Sequence, residues 1–152
     1  MIKTSKVIVA FLAGASGALF LLIFSSLVEI PIPKLDNLLV VIPYFIIAVG
    51  FVEEGIKFLL VSRWGKFPYY CIFLGLGYAL FEMFVKDMPM VIIMGRLGDL
   101  LSFTFWFRRN LGFVMQIVLT ITIAYFIKRN KPVFGLAVAT LIHAGMDILL
   151  FI

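Results

Sequence analysis

The chain is built from apolar stretches about as long as a bilayer is thick, and several of those stretches contain ionisable residues. A membrane-crossing helix needs about 20 apolar residues, because the hydrocarbon core is roughly 30 Å thick. Ser5–Val28 meets that requirement, and the small residues Ala10, Gly14 and Ala18 recur along it at four-residue intervals, beside Ala13 and Gly17. Such stripes allow close helix approach. Pro31 and Pro33 follow within Glu29–Asp36, which reads as a loop. Further spans are expected at Asn37–Val61, at Phe67–Val85, closed by Lys86, Asp87 and Pro89, at Leu111–Ile127 and at Val133–Ile152. Met88–Phe107 is apolar but holds Arg96 and Asp99, three residues apart, and reads as a spanning or an interfacial segment. The expectation is an all-α, polytopic membrane bundle of five to six transmembrane segments.

Composition supports this. The 152 residues are 64% hydrophobic, against roughly 45–50% in soluble domains. One domain of this size cannot hide that excess, so lipid is part of its solvent. The net charge of +5 comes from residues mainly in breaks between apolar runs, where they anchor at headgroups rather than bind nucleic acid. Lys3 with Lys6, and Arg63 with Lys66, belong on the inner side. Arg108–Arg109 and Lys128–Lys131 then conflict, and which cluster is misplaced depends on whether Met88–Phe107 spans. The single cysteine, Cys71, excludes an intramolecular disulfide. Residues 1–152 form one membrane-embedded domain, with the candidate functional core at about 37–152.

Half of the acidic residues fall where they are expensive. Glu53, Glu54, Glu82 and Asp147 interrupt apolar runs, as do Lys57 and His143. An ionised side chain at mid-bilayer costs roughly 2.5–3.5 kcal/mol on insertion scales. These groups must face one another or a wet cavity. On a helix Glu53 and Lys57 share a face, and Glu54 points about 100° away. Tyr78 and Glu82 are also four apart, after Gly75 and Gly77, and so are His143 and Asp147. Adjacent carboxylates in a low dielectric repel and separate in protonation, which suits general acid–base chemistry. Each pair taken alone is equally an inter-helix packing device. Three of them on three helices point to hydrolysis or to movement of protons or ions.

The ordered motifs Glu53-Glu54-x-x-Lys57, Gly75-x-Gly77-Tyr78-Ala79-x-x-Glu82 and His143-x-x-x-Asp147 resemble those of the PrsW-type membrane peptidases, in the superfamily of CAAX prenyl proteases and bacteriocin-processing enzymes. The resemblance covers about Gly50 to Asp147. It implies an intramembrane peptidase of the prokaryotic cytoplasmic membrane, acting on membrane proteins or peptides. Glu53, Glu54, Glu82 and His143 would be catalytic, with Lys57, Tyr78, Gln116 and Asp147 in support. Two positions depart from the pattern: Met83 follows Glu82 where the family often has asparagine, and Gln116 stands where a second histidine is usual. Glutamine is a poor metal ligand, so one histidine disfavours zinc or another divalent metal. Glu54 is the expected general base, since Glu53 is better placed to pair with Lys57, and Gln116 is a candidate oxyanion donor. The alternatives are a non-catalytic scaffold of the same superfamily, as in the Aph subunit of γ-secretase, and a proton or ion carrier. Reconstituted flux abolished by Glu82→Gln would favour the carrier.

Overall fold

The computed structural model describes residues 3–28, 38–64 and 68–151, and among these every regular element is helical. The expected loop Glu29–Asp36, and Lys66, lie outside the described residues. Five rods follow one another. α1 is Thr4–Val28. α2 (38–64) comprises Leu38–Tyr44, a wider π-helical stretch Phe45–Phe51, and Val52–Trp64. α3 (68–93) comprises Pro68–Phe81, the π-helical Glu82–Asp87, and Met88–Ile93. α4 is Phe103–Lys128 and α5 is Pro132–Phe151.

Four segments are long and apolar enough to cross a membrane: Thr4–Phe24, Leu39–Arg63, Phe103–Lys128 and Pro132–Leu149. The protein is therefore a polytopic helical bundle by length and composition. Its outer surface carries large apolar side chains, such as Phe20, Ile47, Leu59, Phe103 and Leu141. The interior holds small and polar residues instead. Ala10, Gly14, Gly17 and Ala18 are all buried, so the small-residue stripe of α1 is a packing face. A Cβ on Gly14 would overlap the carbonyl oxygen of Leu74, and one on Gly77 that of Phe11. Helices α1 and α3 thus meet backbone to backbone.

The third span does not stop at Lys86-Asp87-Pro89, as the sequence leads one to expect, and Met88–Phe107 is not a separate helix. α3 continues to Ile93 because its charges are matched. Lys86 Nζ bonds Glu82 Oε1 at 2.8 Å, and Arg109 Nη1 pairs with Asp87 Oδ2. The widened turn before Pro89 also makes room for a ring that would otherwise press on the carbonyl four residues back. The chain then turns at Gly95 (φ +67°) and passes through a 3₁₀ turn, Leu97–Leu101. Arg96 and Asp99 pair there at 2.6 Å. α4 consequently starts at Phe103, eight residues before the expected Leu111.

α3 and α4 run antiparallel, since Gly75 abuts Ile117 and Thr120 while Asp87 meets Arg109. Near the ends marked by Trp64, Pro68, Lys128 and Pro132, Val61, Cys71, Leu74, Leu119, Ile123, Ala124 and Ala139 close into a buried apolar plug. A smaller cluster of Val41, Phe45 and Ala144 joins α2 to α5.

Candidate functional site

The ionisable residues lie at closely similar depth. Glu53 is eleven residues from Trp64, Gln116 twelve from Lys128, His143 eleven from Pro132, and Glu82 fourteen from Pro68. At 1.5 Å per residue this is roughly 17–21 Å from those helix ends, so the four residues stand at one level of the bundle. Both π-helical stretches border the site: one ends at Phe51, just before Glu53, and the other begins at Glu82. Single widened turns of this kind recur at functional sites.

Lys57 is the hub. Its ammonium donates to Glu54 Oε1 at 2.6 Å and to Gln116 Oε1, and pairs with Glu53 Oε1 at 3.2 Å. It stands 4.6 Å from the centroid of the Tyr78 ring, a cation–π distance. Lys57, Glu54 and Tyr78 are all wholly buried. Three donors therefore meet three acceptors, as a buried charge requires.

Glu53 is not the closer partner of Lys57, contrary to expectation. A helix brings residues three apart together as well as those four apart, and the lysine leans toward Glu54. Glu54 also accepts from His143 Nδ1 at 2.7 Å, which fixes the ring. Its Oε2 is buried without a hydrogen-bond partner among the described residues.

Gln116 bridges two carboxylates. Its Nε2 donates to Glu53 Oε1 at 2.6 Å and to Glu82 Oε2 at 2.7 Å. Both amide protons are thus engaged, so the side chain is not poised as an oxyanion donor. Glu82 turns to Gln116 and Lys86 rather than to Tyr78. Thr120 bonds the Gln116 backbone carbonyl within its own helix, at 2.7 Å. Asp147 Oδ2 lies 3.4 Å from His143 Nε2, so Glu54, not Asp147, makes the short bond that orients the imidazole.

Glu53, Glu82, Gln116, His143 and Asp147 line one cavity of about 650 Å³, to which all five helices contribute. Glu54 and Lys57 stand behind its wall. Leu21, Phe45, Val49, Phe81 and Phe113 supply apolar sides. Lys86, Asp87, Arg108 and Arg109 also line it, on the side of the site away from the apolar plug. Sequence spacing did not reveal this charged rim. The Glu82–Lys86 interval of four carried a signal, whereas Asp87 and Arg109 are brought together only by tertiary structure.

Glu53, Glu54 and His143 offer ligand atoms within 4.8 Å of one another. However, the Oε1 atoms of both glutamates already face the Lys57 ammonium, and His143 Nδ1 is bonded to Glu54. That set fits an internal ammonium rather than a metal ion. No family model matches the chain, and no curated protein or solved structure matches it.

Proposed function

We propose that the protein is a membrane-embedded peptidase whose five helices all cross the bilayer. The observation that carries this reading is convergence: Glu53, Glu82, Gln116, His143 and Asp147, from four helices, line one cavity. The motif resemblance to PrsW-type peptidases points to the same chemistry. With five spans, Lys3, Lys6, Arg63, Lys128, Arg129 and Lys131 fall at one end of the bundle. The positive-inside rule puts that end in the cytoplasm. The cavity then opens on the outer side, and the apolar plug seals it from within.

In this reading Glu53, whose Oε2 lies 3.9 Å from His143 Nε2, is the general base. It takes a proton from water as the water oxygen bonds to the scissile carbonyl carbon. His143, its Nδ1–H held by Glu54 and its ring protonated also at Nε2, donates that second N–H to the developing oxyanion. Collapse breaks the C–N bond, and the proton held by Glu53 passes to the leaving amine. Lys57 keeps the carboxylate pair charged and fixed. Glu82, tied to Gln116, helps place the water.

The experiment is cleavage of candidate single-pass membrane substrates by purified, reconstituted protein, compared with Glu53→Gln and His143→Ala. Undiminished cleavage by both variants ends the assignment. One observation favours a second reading, a non-catalytic scaffold: Lys57, Glu53, Glu54 and Gln116 bond to one another and tie α2 to α4. A wild-type protein inert toward every membrane substrate, with these variants losing only stability, would support it.

A further inference from the structure

Asp87, Arg108 and Arg109 also line a second pocket of about 480 Å³, with Arg96, Asp99 and Ser102. The two spaces thus share a wall of three residues, which stands between the α3–α4 connection and the cavity that Glu53 lines. Two of the three arginines lining this pocket are neutralised, Arg109 by Asp87 and Arg96 by Asp99. Arg108 makes no ion pair or hydrogen bond among the described residues. The pocket therefore carries one unmatched positive charge, on the wall it shares with the cavity. Ser102, at the start of α4, uses its hydroxyl in no capping bond, which leaves a second polar group for an incoming ligand.

Resting on the peptidase reading, we propose that this pocket is a subsite for the polar flank of the substrate, and that Arg108 selects a carboxylate there. The carboxylate is an acidic side chain or a free C-terminus, which share the planar geometry a guanidinium fork grips. Position along α4 sets the register. Arg108 precedes Gln116 by eight residues, about 12 Å along a helix. An extended peptide covers that in roughly four residues. The selected carboxylate therefore lies about four residues from the cleaved bond.

The test is binding by full-length Glu53→Gln protein in nanodiscs of zwitterionic lipid, read by fluorescence anisotropy. The probes are synthetic apolar peptides carrying Asp, Ser or Lys four residues from the central bond, each with an amidated or a free C-terminus placed at that distance. The Asp peptide is expected to bind about tenfold tighter than the Ser peptide, the scale of one charged hydrogen-bonded contact. A gain confined to the free C-terminus would assign the subsite to the terminal carboxylate. Arg108→Gln should abolish the preference, and Arg108→Glu should transfer it to the Lys peptide. Equal binding of the three peptides, or an Asp preference that survives Arg108→Gln, overturns the proposal. So does an Arg108-dependent effect of added anionic lipid with none of peptide charge, which would make the pocket a headgroup site. Because turnover is not read, a protein that fails to cleave and a pocket that fails to select charge give separate results.

Discussion

Lys57 and Glu54 form a 2.6 Å ion pair one helical turn apart, with neither side chain exposed to solvent. The same ammonium also faces Glu53, Gln116 and the Tyr78 ring, so it offsets carboxylate charge that a bilayer would otherwise expel. Removing one partner of a buried pair leaves an uncompensated charge and costs about 3–5 kcal/mol. Lys57→Met is therefore expected to lower the thermal midpoint of the purified protein steeply, or to prevent its accumulation. Lys57→Arg should not restore the midpoint. A planar guanidinium is bulkier, and its donors splay differently from those of an ammonium. A wild-type midpoint for Lys57→Met would show that the hub is not structural.

The two adjacent glutamates should separate by phenotype. Glu53 lines the cavity, whereas Glu54 lies behind it, bonded to Lys57 and His143. Glu53→Gln is expected to reduce cleavage by roughly 10²–10⁴-fold, the usual contribution of a positioned base, with a smaller fall in the thermal midpoint than Glu54→Gln, because its pairing with Lys57 is the longer one. Glu54→Gln should lower both, because it weakens the bonds holding Lys57 and the imidazole. The measurement is the initial rate of cleavage beside thermal unfolding for each variant. The opposite split would return the base to Glu54.

These contrasts show what could be read from the residues and what could not. The intervals of four placed Glu53 with Lys57, Tyr78 with Glu82, and His143 with Asp147 on helix faces, and the apolar runs located four membrane-length helices. Spacing along one helix cannot choose between neighbours three and four residues away, so the preference of Lys57 for Glu54 was not legible. Nor could it show that Lys86-Asp87-Pro89 sits inside a helix. Half of what makes those charges tolerable is Arg109, on another helix. The cavity rim was hidden for the same reason.

The backbone approach of α1 to α3 predicts a sharp difference among glycines. Gly77→Ala would drive a methyl into the Phe11 carbonyl, and Gly14→Ala into that of Leu74. Backbone cannot yield as a flexible side chain does, so each variant should cost at least the 1–3 kcal/mol typical of overpacking. Gly55 and Gly112 have open space where a Cβ would stand. Gly55→Ala and Gly112→Ala are expected to be neutral or mildly stabilising, since alanine is the better helix former. Thermal unfolding of the four variants checks this. Equal effects would mean that α1 and α3 do not meet as described.

Orientation is the remaining consequence, and thiol labelling measures it. Cys71 is the only cysteine and is buried in the apolar plug, so a Cys71→Ser background removes it with little change in volume. Gly112 lines the cavity on the side of the charged rim, and Lys131 is exposed at the basic end of the bundle. In intact cells a membrane-impermeant thiol reagent is expected to label Gly112→Cys. Lys131→Cys should react only after the membrane is opened. The basis is the asymmetry of the ends: Lys3, Lys6, Arg63, Lys128, Arg129 and Lys131 mark one, whereas at the other Arg96 and Arg109 are each paired with an aspartate and only Arg108 is left without an ion pair among the described residues. Labelling in the reverse order would place the cavity on the cytoplasmic side, and the substrate would then have to present its cleaved bond from within the cell.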